Sequence, residues 1–234
     1  MFMVGTIIFI IVYKLPMHFA ELSRLFSLKS PHARKAYQPN NEVPHVVVTG
    51  QVVLSALKNF CEELFHPDHG TQEKHAVILQ FCDPSNEMEM FFSEPDYEKK
   101  VTYINGNPMI STSHKRTDLK NAETCILLTN KNSKDAIGVD HNNILIGLAM
   151  KKYVYATCQK NLRICMQLIK PESKQHFYSS ASNTSASDQI IIVEEIKMNL
   201  MSKSCFSPGI INLISNLISS SPDADDDFDS VWLK

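Results

Sequence analysis

The 234-residue sequence has little of what marks the commonest classes of site. No two of its six cysteines form a C-x-x-C pair, which argues against a zinc site or a disulfide framework and favours reduced thiols inside a cell. Its seven glycines never form the G-x-G-x-x-G pattern of a dinucleotide site. No nucleophile elbow or spaced Ser-His-Asp triad stands out, so the sequence predicts no enzyme.

Neither sign of charge dominates the chain, since 23 Lys and Arg face 25 Asp and Glu. A net charge of −2 creates no strong field that would favour nucleic acid as a partner. The charges are segregated, however: residues 14–40 are basic, and five aspartates lie between Asp223 and Asp229. The chain therefore divides into a basic N-terminal part, a near-neutral middle and an acidic tail over residues 221–234.

The uncharged apolar run Met1–Tyr13 is too short to cross a bilayer. As a helix it would extend about 20 Å, whereas the hydrocarbon core needs about 30 Å. It lacks the basic start and the small-residue cleavage site of a signal peptide, and a buried helix of the core is the alternative. Because basic residues follow it, we predict that residues 1–26 are the cytoplasmic end of a membrane helix, with a linker over 27–43.

Residues 44–193 alternate between short apolar strands and helical stretches. Continuous apolar strands are typical of parallel sheets buried on both faces, so the pattern predicts an α/β fold with a Rossmann-like doubly wound parallel sheet. At the end of the first strand, Gly50-Gln51-Val52 keeps only the first glycine of the dinucleotide pattern, which argues against nucleotide binding. The predicted strands are 45–49, 76–81, 101–104, 124–129, 163–169 and 189–193, and the predicted helices are 53–65, 86–92, 109–115 and 140–153.

A helix–turn–helix is predicted over residues 194–220, with the turn at Pro208 and Gly209. Its second helix is apolar on nearly all sides, so it needs a partner domain or subunit to cover it. Before it, residues 178–188 are Ser-rich and predict an exposed loop. The apolar residues of the second helix that we expect at the interface are Ile210, Leu213, Ile214 and Leu217.

Polar side chains cluster after the first helix, in His66-Pro67-Asp68-His69-Gly70 with Glu73 and His75. Imidazole and carboxylate groups this close could hold a transition metal, or calcium through the carboxylates. A solvated loop would carry the same residue types, so both interpretations stay open. Further along, Asp140 precedes a long helical stretch and is expected to be its N-cap.

Taken in order, these stretches resemble the first RCK (regulator of K⁺ conductance) domain of the Slo potassium channels, both the calcium-activated branch and its sodium-activated relatives. The resemblance covers about 190 residues. Its most specific part is residues 194–217, where the helix, the S-C-x-x-x-G turn and the closing apolar helix occur together. The other matching stretches are 44–65, 101–107, 122–130, 140–153 and 166–174.

The resemblance implies roles for several residues. Residues 1–26 would be the end of the pore-lining helix, with Gly5 as a hinge and Pro16 at the exit of the helix bundle. The calcium-sensing aspartate of the family aligns with Asp68, and Glu63 occupies a nearby acidic position that also influences calcium sensing. The magnesium-binding acidic pair aligns with His75 and, when a short insertion is allowed between the two positions, with Thr102. Neither is a hard carboxylate ligand. The implied gating ligand is Ca²⁺ or Na⁺, with no nucleotide.

The resemblance also implies an assembly. Such a chain would form a homotetramer with other channel subunits, pair with a second RCK domain, and attach to the plasma membrane with its RCK domain in the cytoplasm. Ion binding would reshape a cytosolic gating ring, and the linker would carry tension to the pore. The alternatives are a soluble Rossmann-type nucleotide-binding oxidoreductase and a non-conducting regulatory fragment of a channel.

Overall fold

The structure is a computed structural model that describes residues 30–39, 43–69, 74–130, 132–180 and 188–220, with the isolated residues 14, 18, 19 and 21. Gly5, Pro16 and the acidic tail at 221–234 lie outside the described residues, so their predicted roles stay predictions. Within the described part, no helix has both the length and the apolar character needed to cross a bilayer.

Six parallel strands form one sheet in the order β3-β2-β1-β4-β5-β6. The prediction of a Rossmann-like doubly wound parallel sheet is therefore confirmed. The strands are β1 (His45–Gly50), β2 (His75–Gln80), β3 (Val101–Asn105), β4 (Thr124–Leu128), β5 (Arg163–Leu168) and β6 (Gln189–Ile192).

Helices connect the strands and cover both faces of the sheet. Two short 3₁₀ turns, Pro67–His69 and Leu119–Asn121, complete the connections. The helices are α1 (Pro31–Arg34), α2 (Leu54–Leu64), α3 (Asn86–Phe92), α4 (Ser111–Arg116), α5 (Ala136–Cys158), α6 (Pro171–Ser180), α7 (Val193–Phe206) and α8 (Ile210–Ile218).

The sheet is buried on both faces because successive strand residues point to opposite sides. Val47 packs in one apolar cluster with Leu127 and Met166, while its neighbours Val46 and Val48 pack in the other. All five of these side chains are buried. This arrangement explains why the strands are continuous apolar runs rather than alternating ones.

The expectation for Asp140 is wrong. Helix α5 begins earlier, at Ala136, because Asp135 is its N-cap and accepts a hydrogen bond from the Gly138 amide at 2.9 Å. Asp140 lies fully buried inside the helix. Its carboxylate accepts from the amides of Ile169 and Lys170, both at 2.8 Å, and so satisfies backbone donors that emerge after β5.

Helix α6 was not predicted, although part of it lies in the segment expected to be a Ser-rich loop. It begins at Pro171, a residue whose fixed φ suits the first helical position. Of its ten residues only Ser173 and Phe177 are buried, so the apolar signal in the sequence is weak. Phe177 is fully buried against the core and holds the helix in place.

Candidate functional site

A cleft opens at the carboxyl edge of the sheet, where the strand order reverses between β1 and β4. Ligands of open α/β sheets bind at such a switch point. The cleft has a volume of about 580 Å³. Its polar lining residues are uncharged: Gln51, Gln80, Cys82, Asn107, Asn130 and Asn142.

Gly50 ends β1 at the floor of this cleft, where the backbone of β4 approaches closely. Its φ of +101° belongs to a region that side chains disfavour, and a Cβ there would lie 2.2 Å from the Leu128 oxygen. The same oxygen accepts a hydrogen bond from the Gln51 amide at 3.1 Å. The glycine is thus required by strand packing.

Val52 occupies the second glycine position of the dinucleotide pattern, and its buried side chain packs beside Val48 and Leu57. Among the residues that line the described cleft there is no lysine or arginine to neutralise a phosphate. These features argue against a phosphate-bearing ligand at this cleft. That no nucleotide binds elsewhere on the chain stays a prediction.

Glu63 lies at the C-terminal end of α2, in a smaller pocket of about 390 Å³ that Phe60, His69 and Lys74 also line. Its Oε1 accepts a hydrogen bond from the Ser220 hydroxyl at 2.6 Å and lies 3.4 Å from His69 Nε2. The hydrogen bond from Ser220 is the main cause that lowers the pKa of this carboxyl. Glu63 is therefore an anionic group whose present partners are a hydroxyl and an imidazole, both of which a cation could displace.

Asp68 lies in the 3₁₀ turn Pro67–His69, five residues after Glu63 along the chain. Two residues separate α2 from this turn, which is closed by the hydrogen bond from the His69 amide to the His66 oxygen, at 3.2 Å. The His66 amide donates to the Glu63 backbone oxygen at 3.3 Å and connects the turn to the helix end. The side chain of Asp68 and residues 70–73 lie outside the described part of the chain. Among the described residues no three His, Cys, Asp or Glu side chains converge on one point that would suit a metal ion.

His75 and Thr102, which align with the magnesium-binding pair of the family, do not lie opposite each other. In the sheet register His75 pairs with His45, whereas Thr102 pairs with Val77. The Nδ1 atom of His75 is 3.0 Å from the Tyr37 hydroxyl, so the ring already has a hydrogen-bond partner. Neither residue supplies a carboxylate, and we expect no magnesium site here.

Helices α7 and α8 present apolar side chains to solvent. Gly209, at φ +89°, allows the turn between them, and nothing lies within 4 Å of the place a Cβ would take. Of the four predicted interface residues, Leu213 and Leu217 are 61% and 78% exposed, whereas Ile210 and Ile214 are half-buried. Further exposed apolar side chains on the two helices are Ile196, Met198, Met201, Phe206, Ile211 and Ile218.

Sequence reasoning missed Ser220, the partner of Glu63, because the two residues are 157 positions apart. A serine in a serine-rich stretch carries no signal of such a long-range contact. By contrast, the exposed apolar residues of α8 were visible in the sequence, because six of its nine residues are isoleucine or leucine.

The doubly wound parallel sheet places the chain in the class of Rossmann-like α/β domains. Residues 41–207 match the family profile described as the calcium-activated potassium channel slowpoke-like RCK domain, and residues 188–234 match that of the calcium-activated BK potassium channel alpha subunit. The chain therefore belongs to the slowpoke-like RCK family.

Individual relatives agree with this assignment. The chain is 25% identical, over 214 residues, to the calcium-activated potassium channel slo-1 of Caenorhabditis elegans. That match covers 90% of this chain but only 18% of the worm protein. Among solved structures, the human SLO3 gating ring superposes with a TM-score of 0.60 at 20% identity, over 77% of this chain and 30% of that one, which supports the fold.

Proposed function

We propose that this chain is the ion-sensing part of the cytosolic gating ring of a ligand-gated potassium channel, and that it couples intracellular ion binding to pore opening. The observation that carries the proposal is the family match over residues 41–207. The relatives are channel proteins rather than enzymes, which also speaks against the oxidoreductase alternative.

Calcium is the ligand that the family favours, and Glu63 with Asp68 are the residues that we propose to hold it. Both are hard oxygen donors at the end of α2, where unpaired backbone carbonyls add partial negative charge. An ion that binds Oε1 of Glu63 would replace the Ser220 hydroxyl and the His69 imidazole, the two partners of that oxygen. Binding would thus break a contact between α2 and the end of α8, and an ion drives a conformational change only through such a difference between two states.

Assembly follows from the exposed face of α7 and α8. We propose that Pro208 and Gly209 form the turn between two contact helices, and that Leu213 and Leu217 pack against a second RCK domain of a homotetrameric channel. The N-terminal segment would connect the ring to the plasma membrane, with the RCK domain in the cytoplasm. No contact with nucleic acid is part of the proposal.

Ion binding is tested by thermal unfolding of the purified chain in CaCl₂, NaCl or choline chloride at equal ionic strength. At ten times the dissociation constant, a bound ion stabilises the chain by about 1.4 kcal/mol, a rise in Tm of about 3 to 5 °C. Glu63→Gln and Asp68→Asn should abolish the shift, and Glu62→Gln, at an exposed neighbour on the same helix, should keep it. A rise in Tm with Na⁺ alone would indicate a site like that of the sodium-activated branch. If neither ion raises the Tm, ion sensing by this chain is refuted.

Assembly is tested by light scattering after gel filtration of this chain mixed with a second RCK domain. Leu213→Glu and Leu217→Glu should reduce the molar mass of any oligomer, because each places a charge in the proposed apolar contact. Ser215→Glu, on the same helix but outside the proposed contact, is the matched control. If all three variants and the unchanged chain give the same molar mass, the proposed interface on α8 is refuted.

A further inference from the structure

Part of the predicted linker is bound to the sheet domain. We call residues 30–39 the strap. At its start, Ser30 caps α1 by accepting from the Ala33 amide at 3.2 Å, and its hydroxyl also donates to Asp83. The Asn105 side chain donates to the same carboxylate oxygen at 2.8 Å. These two hydrogen bonds lower the pKa of Asp83, which keeps the carboxylate charged as an acceptor.

Arg116, the last residue of α4, holds the middle of the strap. Its Nη2 donates to the backbone oxygens of His32 at 3.0 Å and of Lys35 at 2.8 Å, and its Nε donates to Lys35 at 3.2 Å. Its Nη1 donates to the Asn105 oxygen in β3 at 2.9 Å. One guanidinium therefore joins two points of the strap to a strand of the sheet.

Tyr37 fixes the far end of the strap. It is only 9% exposed and belongs to the apolar core cluster that includes Val47 and Val77. Its amide donates to the Arg116 oxygen at 2.8 Å, and its hydroxyl lies 3.0 Å from Nδ1 of His75. Arg116 thus contacts the strap through both its side chain and its backbone.

Only arginine suits this position, because a planar fork of five donors can reach three carbonyls at once and an ammonium group cannot. Space for the fork is provided by Gly106, where a Cβ would lie 3.2 Å from Nη1 of Arg116 and 2.7 Å from Oγ of Ser113. The partners are backbone oxygens, so the fork depends on the path of the strap rather than on its side chains.

We propose that the strap is a fixed part of the sheet domain and that Arg116 is the residue that positions it. The domain would then pull on the N-terminal segment at Ser30 rather than at the start of β1. This inference rests on the proposed function, since tension matters only if the chain gates a pore. Residues 30–43 could supply about 45 Å of slack if they were extended, and a fixed strap would remove that slack.

The docking of the strap is tested on the purified chain without any channel assay. Trypsin cleaves after Arg34 and Lys35, two exposed residues within the strap. Arg116→Met should raise the rate of cleavage there at least about tenfold, since cleavage follows the population of the open strap. Arg116→Lys should have a similar effect, and Lys115→Met, at the exposed neighbour, should have none.

Cleavage after the buried Lys151 reports unfolding of the whole domain and separates it from release of the strap. Hydrogen exchange on the unchanged chain needs no variant at all. The Tyr37 amide should exchange as slowly as amides of β1, because it donates to Arg116. Exchange at the rate of a free loop, or tryptic cleavage that Arg116→Met leaves unchanged, would overturn the proposal.

The mechanical consequence is tested in a channel subunit that contains this segment. A four-residue Gly-Ser insertion between Gln38 and Pro39 lies beyond Tyr37, the last anchored residue of the strap, and should leave opening unchanged. The same insertion before Ser30 should weaken the response to the ion. Equal effects of the two insertions would overturn attachment at Ser30. If trypsin and hydrogen exchange show a docked strap but neither insertion changes channel opening, the proposed gating function is refuted, whereas the proposed docking of the strap is kept.

Discussion

Breaking the buried ion pair between Lys151 of α5 and Asp188 before β6 should remove a large share of the stability of the domain. The Lys151 ammonium donates to Oδ2 of Asp188, and the other carboxylate oxygen accepts from the Ile164 amide at 3.2 Å. The side chains are 9% and 1% exposed. Removing either charge leaves the other buried without its counterion, which costs about 3 to 5 kcal/mol.

Lys151→Met is the variant that tests this expectation. A domain of this size is stable by about 5 to 15 kcal/mol, so a loss of about 3 to 5 kcal/mol lowers the free energy of unfolding by roughly a fifth or more. Urea denaturation followed by far-ultraviolet circular dichroism measures it. Lys152→Met, at the exposed neighbour on the same helix, should change the stability by less than about 0.5 kcal/mol.

The double variant Lys151→Met with Asp188→Asn completes a thermodynamic cycle. The amide oxygen of an asparagine can still accept from Ile164, and neither charge remains, so we expect the double variant to be more stable than Lys151→Met alone by at least about 1 kcal/mol. A loss below about 1 kcal/mol in Lys151→Met, or additive effects in the cycle, would refute the reasoning that the carboxylate depends on the ammonium.

Three further predictions concern single positions. Gly50→Ala should lower the free energy of unfolding, measured by urea denaturation, by at least about 2 kcal/mol, because it combines an unfavourable φ with a clash against Leu128. Gly209→Ala has the unfavourable φ without the clash and should lower it by less. Burial lowers the pKa of His45 and of His114, so the unfolded chain binds protons at a higher pH than the folded chain does, and the free energy of unfolding should fall as the pH drops below about 6.5. His45→Asn and His114→Asn should make that fall smaller, and a pH dependence that these variants leave unchanged would contradict the prediction. Burial raises the pKa of Cys61 to about 12 and also raises that of Cys125, so a thiol reagent should label these two only after unfolding, while the exposed Cys82, Cys158 and Cys205 react at once.

The strands were predictable because a parallel sheet imposes a simple rule on its sequence. Val46, Val47 and Val48 are all buried, and a run of β-branched residues bounded by Gly50 predicts such a strand directly. The pair α7 and α8 was predictable for a similar reason, since Pro208-Gly209 interrupts two helical patterns.

Other features left no trace in the sequence. Asp140 looked like a helix cap because acidic residues before a helix usually are, but its carboxylate serves amides that only the folded chain brings to it. The strap looked like a linker because Arg116 holds its middle through backbone oxygens, which every residue has. Glu63 and Asp68 were found through the resemblance to a family, and the contact of Glu63 with Ser220 came only from the structure.

The position of the strap bears on how the chain behaves in solution. β3 is an edge strand, and edges with unpaired backbone groups recruit strands from other molecules. Helix α1 lies against β3, His32 packs edge-on against Tyr103, and Arg116 occupies the Asn105 oxygen. The strap therefore also shields the sheet, and a chain trimmed to begin at β1 would expose an edge prone to aggregation.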